Sequence, residues 1–352
     1  MPRRRTPGWA SANARALARR ARLSAGGLAL VATALTSACE FFPLEVDTPQ
    51  LNEVALENLK TAAASGTCKA GVFQGNVTGG KDFTGQCTIQ GNLYISGEAT
   101  DLLRLRNVRE VQGAIYVTGE VDLADAVPNL EKCSGILAGG YLGTKLTGPP
   151  LLKSATALNV EKTGKLMTIS GFDNVASMTI YLKNNAELTT VSGFGKLTSG
   201  AITVEDNPKL ATFGALPSLT ESVALSFQRN PLLLELPACP ALQTVTGDIQ
   251  VRTMPGSALT GFSALQSVGG LKLTQMPNLA SLQVPALATA GTIWLVDLQK
   301  LNALTGLPKV MVSGLFSACN LAVCQTELDG FAKAHVVSGQ AKLCDFWTPC
   351  TP

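Results

Sequence analysis

Leu158-Asn-Val160, Ile180-Tyr-Leu182, Ile202-Thr-Val204, Leu225-Ser-Phe227, Gly247-Asp-Ile249-Gln-Val251, Leu271-Lys-Leu273 and Gly291-Thr-Ile293-Trp-Leu295 are copies of one short phrase, apolar–any–apolar, sometimes led by glycine. Their first apolar residues follow at steps of 22, 22, 23, 24, 22 and 22. Two earlier copies, Gly91-Asn-Leu93-Tyr-Ile95 and Gly113-Ala-Ile115-Tyr-Val117, are also 22 apart, and a degraded copy near Leu137 fills the gap. Alternation of period two puts the two apolar residues on one face of a strand and the residue between them on the other. One such strand cannot bury its apolar face alone, but identical strands stacked in parallel can. A fixed period of this size therefore predicts a mainly β chain wound as a parallel solenoid of about ten coils of about 22 residues.

A second element recurs after each strand. Asn185-Ala-Glu-Leu188, Asn207-Pro-Lys-Leu210 and Asn230-Pro-Leu-Leu233 set an asparagine at nearly constant spacing. Asparagine is a common turn residue; in a solenoid it also suits an inward amide that satisfies backbone groups at a corner. The slot becomes Met254, Met276 and Leu298 in later coils, which points to burial. Leu210, Phe213, Leu216 and Leu219, echoed by Leu259, Phe262 and Leu265, form a ladder expected to line the return arm.

The cadence from Cys87-Thr-Ile-Gln-Gly91-Asn-Leu-Tyr-Ile95 through Leu102, Leu105, Val108 and Val111 to Gly113-Ala-Ile-Tyr-Val117 resembles the receptor L-domain, a leucine-rich-repeat relative. It is similar, too, to bacterial surface lipoproteins that carry such repeats. The resemblance covers roughly residues 68–344 and implies a right-handed solenoid that binds rather than catalyses. It also implies that Cys68 pairs with Cys87 at a cysteine-capped start and that Cys324 pairs with Cys344 at the end. Cys319 with Cys350 is a further candidate pair, since four cysteines allow three connectivities.

Ahead of the repeats, residues 1–38 read as an export signal. Seven arginines and no acid lie between Met1 and Arg22, followed by an apolar run from about Gly26 to Leu35 and the small residues Thr36, Ser37 and Ala38. Leu35-Thr-Ser-Ala-Cys39-Glu40 resembles a bacterial lipobox, with Leu35 one place earlier than that pattern puts it. The resemblance implies that Cys39 is acylated and that the chain is anchored by lipid. Glu40 in place of Asp favours the outer membrane or cell surface. Residues 39–67 then form a tether and an entry helix over residues 52–64, residues 68–318 the solenoid, and residues 319–352 a cysteine-rich cap. No second segment is long and apolar enough to span a membrane.

Charge narrows the partners. The whole chain has 28 basic and 25 acidic residues, a formal +3; without the seven leader arginines the balance is 21 to 25, or −4. No basic block remains to hold nucleic acid. Eight cysteines remain after Cys39, and an exported chain can oxidise them. Cys133 and Cys239 lie about five coils apart in different slots and read as buried thiols. A metal site is disfavoured, because there is no Cys-x-x-Cys and His335 is the only histidine. Leu328 and Phe331, at helical spacing, suggest an amphipathic cap over the last coil.

Catalysis finds little support. His335 is the only imidazole for a triad and no nucleophile-elbow sequence accompanies it. No cofactor motif is present. Glu161 and Glu205 fall two coils apart with Lys183 between them, wide for a carboxylate pair. The outward residue of each strand reads Tyr94, Tyr116, Asn159, Tyr181, Thr203, Ser226, Gln250, Lys272 and Trp294. The aromatics Tyr94, Tyr116, Tyr181 and Trp294 are the expected ligand face, for a protein or a carbohydrate. Strand propensity alone also accounts for aromatics on a pleated surface. A purely structural envelope lipoprotein and, further off, a polysaccharide-active enzyme are the alternatives.

Overall fold

This computed structural model describes residues 67–80, 83–96 and 99–344. The leader, Cys39, the helix expected over residues 52–64 and Cys350 lie outside them. The alternating phrases form one short strand per turn, and the chain winds into a parallel β-solenoid of about eleven turns, one more than the period suggests. Leu158, Ile180, Ile202, Leu225, Ile249, Leu271 and Ile293 lie one over the next in register. None of them is more than 1% exposed. Stacking gives each inward side chain the burial a single strand lacks, on the order of 1.5–3 kcal/mol per residue. At the degraded copy Ile136 and Ala138 turn inward, while Leu137 stands on the outer face between Tyr116 and Asn159.

The return arm carries a second parallel sheet of very short strands, Lys145–Thr147, Thr168–Ser170, Thr190–Val191 and Thr212–Phe213. Leu210, Phe213, Leu216, Leu219, Leu259, Phe262 and Leu265 are all buried in the core, as the ladder requires, Leu259 from a separate two-stranded sheet further along the arm. Phe172, Phe194 and Phe213 stack ring on ring, with centroids 5.6 and 6.3 Å apart.

The corner after the main strand explains the asparagines. Eight turns put a non-glycine residue in left-handed backbone at the same place: Lys162, Asn184, Asp206, Arg229, Thr253, Gln275, Asp297 and Asn320, with φ between 53° and 58°. That conformation costs roughly 1–2 kcal/mol for an L-residue. The corner offsets it by pairing turns: Lys162 N–H donates to Lys183 O at 3.0 Å, Asp206 to Gln228 O at 3.1 Å and Gln275 to Val296 O at 2.9 Å. The next residue points inward, and there Asn185, Asn207 and Asn230 are fully buried, followed by Met254, Met276 and Leu298.

A leading glycine has its own cause. At Gly269 a Cβ would lie 2.6 Å from the carbonyl oxygens of Gly247 and Thr246 on the preceding turn. The backbones approach too closely there for any side chain.

Both ends are closed by disulfides. Cys68 bonds Cys87 across the entry strands, with Cα atoms 5.0 Å apart. At the exit the expected pairs Cys324–Cys344 and Cys319–Cys350 are corrected: Cys319 bonds Cys344. Register is the reason. Strands Leu315–Leu321 and Gln340–Leu343 pair in parallel with Ala318 over Leu343, so the next residues, Cys319 and Cys344, meet at a Cα distance of 4.8 Å. Cys324 is disulfide-bonded as well. It precedes the helix Gln325–His335, whose Leu328 and Phe331 are buried on the last turns. Cys133 and Cys239 are free and buried, and burial pushes both thiols up to about 12.

Candidate functional site

The broad parallel sheet is the surface that could meet a partner. Register places Tyr94, Tyr116, Leu137, Asn159, Tyr181, Thr203, Ser226, Gln250, Lys272, Trp294 and Ser317 in a single file across successive turns. The four aromatics singled out from the sequence therefore share one column, but they are not brought together. Tyr94 and Tyr116 are adjacent, and their rings stack with centroids 4.7 Å apart and planes 10° apart. Each thus covers a face of the other, and the pair has used on itself part of the surface a sugar would need. Strand-to-strand packing accounts for this pair.

Tyr181 and Trp294 differ. No other described aromatic ring packs against either. Trp294 is 42% exposed, one of several large apolar side chains that reach solvent among the described residues. Five rung steps separate the two, about 24 Å at the usual strand spacing. The outward place of Leu137 was not read from the sequence, because the degraded repeat conceals its phase. Asn159 holds its side-chain oxygen buried with no hydrogen-bond partner.

Most charges beside the column are spent on one another, while Arg252 bonds the neutral Gln275 Oε1 at 3.1 Å. Lys183 Nζ lies 3.1 Å from Glu205 Oε2, and Arg229 reaches Glu205 at 3.7 Å and Asp206 at 2.6 Å. The hydrogen bond from Arg229 holds the Asp206 carboxyl below its ordinary value, and the one to Glu205 raises the Lys183 amine. Lys272 Nζ is 2.5 Å from Asp248 Oδ2. Glu161 and Glu205 do share a column, with Lys183 between them in register. Their separation is about 10 Å, two strand spacings, and Glu205 is already ion-paired.

His335 belongs to the cap. Its Nδ1 is 2.7 Å from Val310 O and its ring lies 4.3 Å from that of Phe331. Among the described residues no group of three or more His, Cys, Asp or Glu side chains gathers to hold a metal, and no helix is long and apolar enough to cross a membrane.

No protein-family model, curated protein or solved structure matches the chain. The architecture itself is plain. It is a parallel β-solenoid with disulfide-closed ends.

Proposed function

We propose that this solenoid is a lipid-anchored protein of the bacterial cell envelope, of receptor L-domain type, that binds a protein or glycan on its broad sheet without catalysis. The single observation that carries the reading is the outer column: hydroxyl, amide and aromatic side chains in register over many turns, with most neighbouring charges paired off internally. Trp294, exposed in that file, supports the reading by offering a ligand a flat apolar ring. The leader sequence and Ala38-Cys39 support export and lipidation, with the outer membrane or cell surface as the destination.

A structural envelope role remains the second reading, and the self-stacked Tyr94–Tyr116 pair is what favours it. The deciding experiment presents the mature protein to polysaccharides and to envelope extract, beside a Thr203→Lys, Ser226→Lys double variant. Both positions are half-buried on the outer face, so the fold should survive. Binding lost in the variant supports the reading; equal binding by both proteins moves the function off the sheet.

A further inference from the structure

We infer that the stretch of the outer face from Tyr181 to Trp294 is a subsite for an uncharged polysaccharide lying along the stack, across the strands; this rests on the reading that the sheet face binds. The file between the two aromatics is Thr203, Ser226, Gln250 and Lys272, one per turn. Thr203 and Ser226 are short, so the file sinks between Tyr181 at one end and Gln250 at the other. Among the described residues the side chains of Tyr181, Thr203 and Gln250 make no hydrogen bond, and Ser226 Oγ accepts one from Gln228 Nε2 at 2.9 Å. Hydroxyl and amide groups are thus free at a spacing of about 4.8 Å, suited to a chain that offers hydroxyls at regular intervals.

Charge decides among occupants. Lys272, the one charged member, is neutralised by Asp248, and the Lys183, Glu205, Asp206 and Arg229 side chains beside the file neutralise each other. A nucleic acid or a polyuronate needs several cations that are not already paired, and beside this stretch Arg252, held by Gln275 Oε1 at 3.1 Å, is the one cation without an acidic partner among the described residues. A protein partner needs an apolar centre with a polar rim, whereas here the polar groups occupy the centre and the aromatics the ends. A pyranose ring has an apolar face for Tyr181 or Trp294 and hydroxyls for the residues between. The Tyr94–Tyr116 stack stands outside this subsite.

Affinity electrophoresis of the mature protein in gels containing a neutral glucan, mannan, xylan or polyuronate tests it. Retention by at least one neutral polymer is expected, with none by the polyuronate. Tyr181→Ala and Trp294→Ala should each weaken retention roughly tenfold, while Tyr94→Ala leaves it unchanged; unaltered melting of each variant excludes misfolding. The result that overturns the inference is retention insensitive to Tyr181 and Trp294, retention by the polyuronate, or no retention by any neutral polymer. If in that case a protein ligand binds and is lost in the Thr203→Lys, Ser226→Lys variant, the binding face stands and only its occupant was misassigned. If no ligand of any class depends on the sheet, both readings fall.

Discussion

Asn207 Oδ1 accepts two hydrogen bonds from Asn185, one from its backbone N–H at 3.1 Å and one from its Nδ2 at 2.9 Å. Asn207 in turn donates from Nδ2 to Leu182 O at 3.2 Å and to Glu205 O at 2.9 Å, and its own N–H donates to Asn230 Oδ1 at 3.1 Å. Three buried amides therefore tie successive corners in one chain of bonds. Removing one leaves buried groups on two turns unpaired, at about 1–3 kcal/mol for each. Asn207→Leu should lower stability by on the order of 3 kcal/mol in denaturant melts, and a loss below about 1 kcal/mol would contradict the ladder.

Gly269 makes a sharper steric claim. Gly269→Val should cost about 3 kcal/mol or prevent folding, because backbone on the preceding turn must move. Gly164 has no heavy atom within 4 Å of an added Cβ, and Gly164→Ala should stay within about 0.5 kcal/mol of the parent. Comparable melting temperatures for the two variants would refute the close approach at Gly269.

The exit cap makes a covalent prediction. Proteolytic mapping without reduction should recover Cys319 linked to Cys344, not Cys324 linked to Cys344. Cys319→Ser should remove roughly 2–4 kcal/mol, the usual worth of a disulfide closing a loop of this size. A peptide joining Cys324 to Cys344 would sink the assignment.

Burial of Cys133 and Cys239 makes stability depend on alkali. Both thiols are pushed from 9.0 to about 12 by desolvation. Their folded values lie above the unfolded one, so the contribution is fully present below pH 9 and declines as pH rises from about 9 towards 12. The slope is at most about 1.4 kcal/mol per pH unit for each thiol. A Cys133→Ala, Cys239→Ala variant should show a flatter stability profile over that window, and the native thiols should resist alkylation near pH 8. Rapid labelling of the folded protein would show them to be accessible.

Lipidation at Cys39 is testable apart from the fold. Cys39→Ala should shift the protein from the membrane fraction to the soluble one and abolish incorporation of labelled fatty acid. A variant that stays with the membrane, together with a parent that takes up no label, removes the anchor.

Much was legible from the chain alone, because in a solenoid each contact repeats at a constant offset. The period of 22 places Ile180 over Leu158 and under Ile202 without any knowledge of the third dimension. The same periodicity put Tyr94, Tyr116, Tyr181 and Trp294 in one outward file and Leu210, Phe213 and Leu216 in the core. Three features needed the coordinates. Leu137 faces outward because the phase slips where the repeat decays, and a period cannot report its own slip. Cys319 meets Cys344 because parallel register brings them to a Cα distance of 4.8 Å, whereas nothing in their spacing favours them over Cys324 or Cys350. The sequence set Tyr94 and Tyr116 on adjacent turns, but only the tertiary structure decided that they stack on one another. Ring orientation depends on side-chain torsions and on what the neighbouring turns offer, which position in a file leaves open.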